Sequence, residues 1–232
     1  VSEARPAPHA RMRRAIRRVL TAPRAAAVAG IAFALLLGAM LILVRLAVPP
    51  GSADTDALLD DASRRNSIRL ALNLAPYAGI TFLWFIGVIR DNVGEREDRL
   101  FATVFLGSGL LFLAMLYTSM ALWAALVVTY TDGTVGNDGA DLARTTAHVL
   151  TSIYAVKMAA VFMISTSTIA LRSASLPRWL ALLGFLLGLT LLIGSSFAPW
   201  AELIMPVWVL LLSVVLLIGT YRRPETGQEY ER

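Results

Sequence analysis

The sequence predicts an all-α, polytopic integral membrane protein with six transmembrane helices and both termini in the cytoplasm. Three observations carry this reading. Of 232 residues, 57% are hydrophobic and 16% charged, where an average soluble domain has about 25% charged. The apolar residues come in runs of about 20, the length an α-helix needs to cross a hydrocarbon core of roughly 30 Å. The basic residues fall on alternate connections: with the N-terminus inside, 15 Lys and Arg face the cytoplasm and four face outward. That asymmetry sets orientation.

Residues 1–24 form a basic cytoplasmic segment. Arg11, Arg13, Arg14, Arg17 and Arg18 alternate with Met12, Ile16, Val19 and Leu20 at helical spacing. The pattern predicts a short amphipathic helix on the lipid surface. Its arginines would attract anionic headgroups, or serve only to hold this end inside.

The membrane domain is expected over residues 25–221. The first span, 25–48, is longer than the apolar region of a cleavable signal peptide. It stops at Pro49, Pro50 and Gly51, because proline cannot extend the helical hydrogen-bond ladder. The connection Ser52 to Ser67 is polar. Asp60 with Arg64, and Asp61 with Arg65, are spaced i,i+4 and predict an exposed helix there. The second span, 68–89, contains Pro76 and Gly79, which could break it. The third, 100–129, is long enough to tilt or protrude. A loop rich in Asp, Gly and Asn follows, residues that favour turns. The remaining spans are 145–171, 176–197 and 203–221, and residues 222–232 form a cytoplasmic tail. Trp84, Trp179 and Tyr221 are expected at the inner surface, and Trp123, Tyr130 and Trp200 at the outer one. Gly184 and Gly188 form a GxxxG pair that permits close helix approach.

Composition also narrows the chemistry. The chain has no cysteine, which removes thiolate metal sites, iron–sulfur clusters and cysteine nucleophiles. Its two histidines, His9 and His148, lie on opposite sides of the expected bilayer and cannot share a haem. No catalytic or cofactor motif is present, so no cofactor is expected and an enzymatic role is disfavoured. The net charge of +5 follows from the orientation signal and does not call for nucleic acid. Twenty arginines against one lysine point to a GC-rich bacterial genome.

Two stretches carry a resemblance. Tyr77-Ala-Gly-Ile-Thr-Phe-Leu-Trp-Phe-Ile-Gly-Val-Ile-Arg-Asp, with Glu97-Asp-Arg-Leu-Phe-Ala-Thr-Val-Phe-Leu-Gly-Ser-Gly, resembles a family of uncharacterised multi-pass proteins from actinobacteria. Leu176-Pro-Arg-Trp-Leu-Ala-Leu-Leu-Gly is similar to a broader bacterial membrane family of unknown function. The resemblance implies a bacterial plasma membrane and supplies no functional residues.

The fourth span is the outlier. Between Thr145 and Thr168 it holds many hydroxyl side chains, and it carries Lys157. A lysine at a helix centre costs about 2.5–3.5 kcal/mol, against about 0.3–0.6 kcal/mol gained per strongly apolar residue. This helix is therefore expected inside the bundle. Lys157 lies about 18 Å below Thr145 at 1.5 Å per residue, and no carboxylate of the chain is expected at that depth. Tyr154, Ser165 and Thr168 share its helical face at α-helical periodicity. A second set, His148, Glu202, Arg45 and Asn73, is expected in the outer half, where it could line an outward-facing pocket. Glu202 at a helix start also interacts favourably with the helix dipole. The function classes that remain are a non-enzymatic component binding a partner membrane protein, a second copy or lipid; a solute or ion transporter with a path along the fourth helix; and, third, a membrane enzyme.

Overall fold

The computed structural model describes the backbone of residues 8–49, 55–93, 99–132, 137–173, 177–194 and 200–221. Its elements are helices joined by short connections. They are α1 (Pro8–Ala47), α2 (Thr55–Asp60), α3 (Ala62–Val93), α4 (Arg99–Thr131) and α5 (Asn137–Val149). A π-helical segment, Leu150–Ala155, joins α5 to α6 (Val156–Ser173), and α7 (Arg178–Gly194) follows. The 3₁₀ turn Ala201–Leu203 leads into α8 (Ile204–Tyr221).

Five stretches are long and apolar enough to cross a membrane: Arg24–Ala47, Ala62–Arg90, Ala102–Thr131, Asp138–Arg172 and Ala201–Gly219. The chain is a multi-pass membrane protein. The expected span 176–197 is represented by α7, an apolar helix of 17 residues. At 1.5 Å per residue it is about 26 Å long, short of a core of roughly 30 Å. Residues 195–197 of that expected span lie outside the described residues.

The arginine-bearing stretch is the first part of α1 rather than a separate surface helix, because α1 runs without interruption for 40 residues. The side chains of Arg11, Arg13, Arg14, Arg17 and Arg18 lie outside the described residues, as does the tail 222–232. The polar connection also departs from expectation. The chain breaks between α2 and α3, and Asp61 caps α3: the backbone N–H of Ser63 donates to its Oδ1 at 2.8 Å. Asp61 pairs with Arg64 at 3.4 Å, one residue closer than the i,i+4 spacing predicts. Arg65 instead donates to the backbone carbonyls of Leu59 and Asp60 at the end of α2, where orphan carbonyls need donors.

Pro76 does not break α3. It removes one donor from the ladder, and the adjoining space is filled from α4. The Tyr117 hydroxyl donates to the Pro76 carbonyl at 3.4 Å. One turn on, a side chain at Gly79 would overlap that hydroxyl, so glycine there is what admits the tyrosine ring.

Helix α1 packs against α3 and α8, α6 packs against α7 and α4, and α3 packs against α4. Phe82 of α3 joins these pairs. Its ring centroid lies 4.4 Å from Phe33 of α1, 5.5 Å from Phe112 of α4 and 5.1 Å from Phe162 of α6. Phe105 extends the cluster, 5.0 Å from Phe162. Trp123, expected at the outer surface, is instead buried in the core. Trp84, Trp179 and Trp200 are exposed, as interfacial tryptophans should be.

The glycine pair of α7 sits on α6. A Cβ at Gly188 would lie 2.8 Å from Ile164 Cγ1 and 3.0 Å from the Ala160 carbonyl oxygen; one at Gly184 would press on Ser167 and Trp208. Gly38, by contrast, has nothing within 4 Å. Gly188→Leu should therefore lower thermal stability in detergent by the equivalent of about 1–3 kcal/mol, the usual cost of overpacking. Gly38→Ala should leave stability unchanged or raise it. Circular dichroism melts of the two variants check this; equal melting temperatures would show that α7 is not seated through its glycines.

Candidate functional site

Three titratable residues of the membrane domain stand at helix ends or turns. Arg45 stands in the last turn of α1, just before Pro49 ends the chain direction. His148 stands in the last turn of α5, and Glu202 in the 3₁₀ turn before α8. That turn is closed by the Leu203 N–H donating to the Trp200 carbonyl at 3.0 Å. Pro206 follows within the first turn of α8, where its missing N–H costs no internal hydrogen bond.

Arg45 is engaged by an aromatic ring. Its guanidinium carbon lies 5.1 Å from the centroid of the Trp200 ring, within cation–π range. Its charge also acts on both His148 and Glu202, and Arg144 acts on His148 as well. Among the described residues, Arg45 is thus the one charge felt by both His148 and Glu202. Of the four residues expected in the outer half, His148 and Glu202 both feel the charge of Arg45. Asn73 stays on the exposed side of α3.

Beneath this group is a small cavity lined by Leu37, Leu41, Thr151, Leu191, Glu202, Met205 and neighbouring apolar side chains. Its free volume is about 10 Å³, room for the centre of one water molecule. Thr151 and Glu202 are the polar side chains of its lining. Thr151 belongs to the π segment and donates to Ser119 Oγ of α4 at 2.7 Å. Ser119, fully buried, donates to the Ala147 carbonyl at 2.8 Å. A π turn widens the helix by one residue and leaves carbonyls poorly served by the backbone ladder. Here the hydroxyls of Ser119, Thr151 and Ser152 reach the carbonyls of Ala147 and His148 at its entrance.

The short helix α2 straps this end. Thr55 donates to Asp141 and receives a hydrogen bond of 3.4 Å from Arg144, both on α5. Tyr130 of α4 donates to Asp60.

Lys157 lies one residue into α6, half-buried. The π segment separates it from Tyr154, so the α-helical periodicity that puts the two on one face does not hold across them; Tyr154 is exposed. Ser165 is buried and Thr168 half-buried, and their hydroxyls donate to Val161 and Ile164 one turn back. Helix α6 itself lies within the bundle, against α4, α7 and α8. Sequence reasoning placed Trp200 only as an interface marker and passed over Ser119. The signal for Ser119 was a hydroxyl within an otherwise apolar helix, which alone does not name its partner.

The chain matches no protein-family profile, no curated protein and no solved structure. The geometry of its own residues is therefore what bears on function.

Ser119→Ala removes a donor to Ala147 and the acceptor of the Thr151 hydroxyl. It should cost about 0.5–1.5 kcal/mol, the net worth of a typical hydrogen bond, while Thr118→Ala on the exposed side of α4 should cost less. Thermal denaturation in one detergent compares the two. A Ser119→Ala melt no lower than that of Thr118→Ala would remove the hydroxyl pair as a support of the π segment.

Proposed function

We propose that this protein is a non-enzymatic component of a bacterial plasma membrane that binds an anionic group at the end of the bundle marked by Arg45. One observation carries the reading: the Arg45 guanidinium is held over the exposed Trp200 ring, and its charge reaches both His148 and Glu202. The exposed Trp200 ring suits the level at which an amphipathic aromatic meets headgroups. A phosphate or carboxylate there would accept charge-assisted hydrogen bonds from guanidinium groups. It could belong to a lipid headgroup or to a small acidic solute.

The reading includes six crossings with both termini inside. Helix α7 starts beside the end of α6, yet Leu191 near its other end lines the same cavity as Leu41, Thr151 and Glu202. A helix reaching both levels supports a full crossing despite its 17 residues. The distribution of arginines supports the orientation. A cysteine at Asp138 should then react with an impermeant maleimide in intact cells, and one at Glu95 only after lysis. The reverse pattern would invert the topology, and labelling of both would change the helix count.

A second reading, a solute or ion path along α6, is favoured by the π segment ending next to Lys157, since π turns occur often at functional sites. One measurement separates the two. Purified protein is titrated with inorganic phosphate, with glycerol phosphate, and with micelles containing phosphatidylglycerol, and thermal stabilisation is followed. Arg45→Gln should weaken the stabilising interaction about tenfold, or about 1.4 kcal/mol, with Lys157→Met unaffected. Soluble anions acting alone would identify a solute, and the lipid alone a headgroup. Loss in Lys157→Met but not in Arg45→Gln would overturn the first reading for the second.

A further inference from the structure

Away from Arg45, a groove of about 280 Å³ opens between the start of α3 and the end of α4. Leu72, Ala124 and Val128 give it an apolar wall, and its polar lining is Arg69, Thr131 and Asp132. Arg69 and Asp132 are both exposed and of opposite charge, yet they form no ion pair with each other or with any described residue. Asp132 is fixed at the end of α4, where its N–H donates to the Val128 carbonyl at 3.0 Å. An acid at a helix C-terminus is disfavoured by the dipole, so its charge serves no capping purpose there. Both residues lie at the ends of membrane-crossing helices, the level at which headgroups meet acyl chains.

We propose that this groove seats one phospholipid with a phosphoethanolamine headgroup. The phosphate accepts hydrogen bonds from the Arg69 guanidinium. The primary ammonium, with three donors, reaches Asp132. An acyl chain lies along the half-buried Leu72 and the exposed Val128, replacing the contacts they would otherwise make with bulk lipid. A zwitterion matches two opposite charges that are held apart. Phosphatidylglycerol offers no cation to Asp132, and phosphatidylcholine offers one without N–H donors.

The test uses the full chain purified in mild detergent and exposed to equimolar phosphatidylethanolamine, phosphatidylglycerol and phosphatidylcholine, with retained lipid counted by native mass spectrometry. Wild type should retain one phosphatidylethanolamine at least fivefold over the other two. Arg69→Gln should lower that retention at least fivefold, and Asp132→Asn should abolish the preference over phosphatidylcholine. Val128→Trp, which fills the groove from an exposed position, should remove the lipid without lowering the melting temperature. Arg45→Gln should leave it in place, which keeps this site distinct from the anion site above. Equal retention of the three lipids, or retention unchanged by Arg69→Gln and Val128→Trp, overturns the proposal. Loss in Arg45→Gln together with insensitivity to Val128→Trp also overturns it and moves the lipid to the other site.

Discussion

Phe82 is where the bundle is tied. Its ring meets one phenylalanine from each of α1, α4 and α6, so four helices are referenced to a single side chain on α3. In a bilayer this matters more than in water. Lipid tails are as apolar as the helices, so burying a leucine between helices gains little, and association depends on close contact and shape. Stacked and edge-on rings supply that contact at the centre. Glycines supply it at the periphery, where Gly184 and Gly188 bring α7 onto α6 and Gly30 brings α1 onto Ser213 of α8.

Crossing segments could be read from the sequence because hydropathy is a property of one segment at a time. Helices α3 and α4 contain the stretches expected at 68–89 and 100–129, and the fourth span lies inside the bundle as its lysine and hydroxyls require. Features set by two segments were not legible. At the entrance to the π segment, Ser119 of α4 meets the Ala147 carbonyl, 28 residues away. Trp123 looked like an interface residue because its depth could be counted but its facing could not. Asp61 looked like the partner of Arg65 because the spacing presumed one continuous helix, and the chain instead starts α3 there.

The same distinction governs the candidate sites. Arg45, His148 and Glu202 share a level that counting along three spans reveals. Whether residues at one level also share an azimuth depends on how α1, α5 and α8 are arranged about the centre, which no single span encodes. Asn73 shares the level and points elsewhere. Arg69 and Asp132 escaped notice because each looks like an ordinary boundary charge until α3 and α4 are set side by side.

The π segment has a consequence for how the chain tolerates change in length. Removing one residue from an α-helical span rotates everything beyond it by roughly 100°, which would turn the buried face of α6 toward lipid. Within Leu150–Ala155 the helix already carries a residue more than its ladder uses. A deletion there lets the segment tighten into a uniform α-helix and leaves α6 aimed as before. The widened turn is thus a reserve of slack in the rod, and the one place along it where the chain can shorten without losing register.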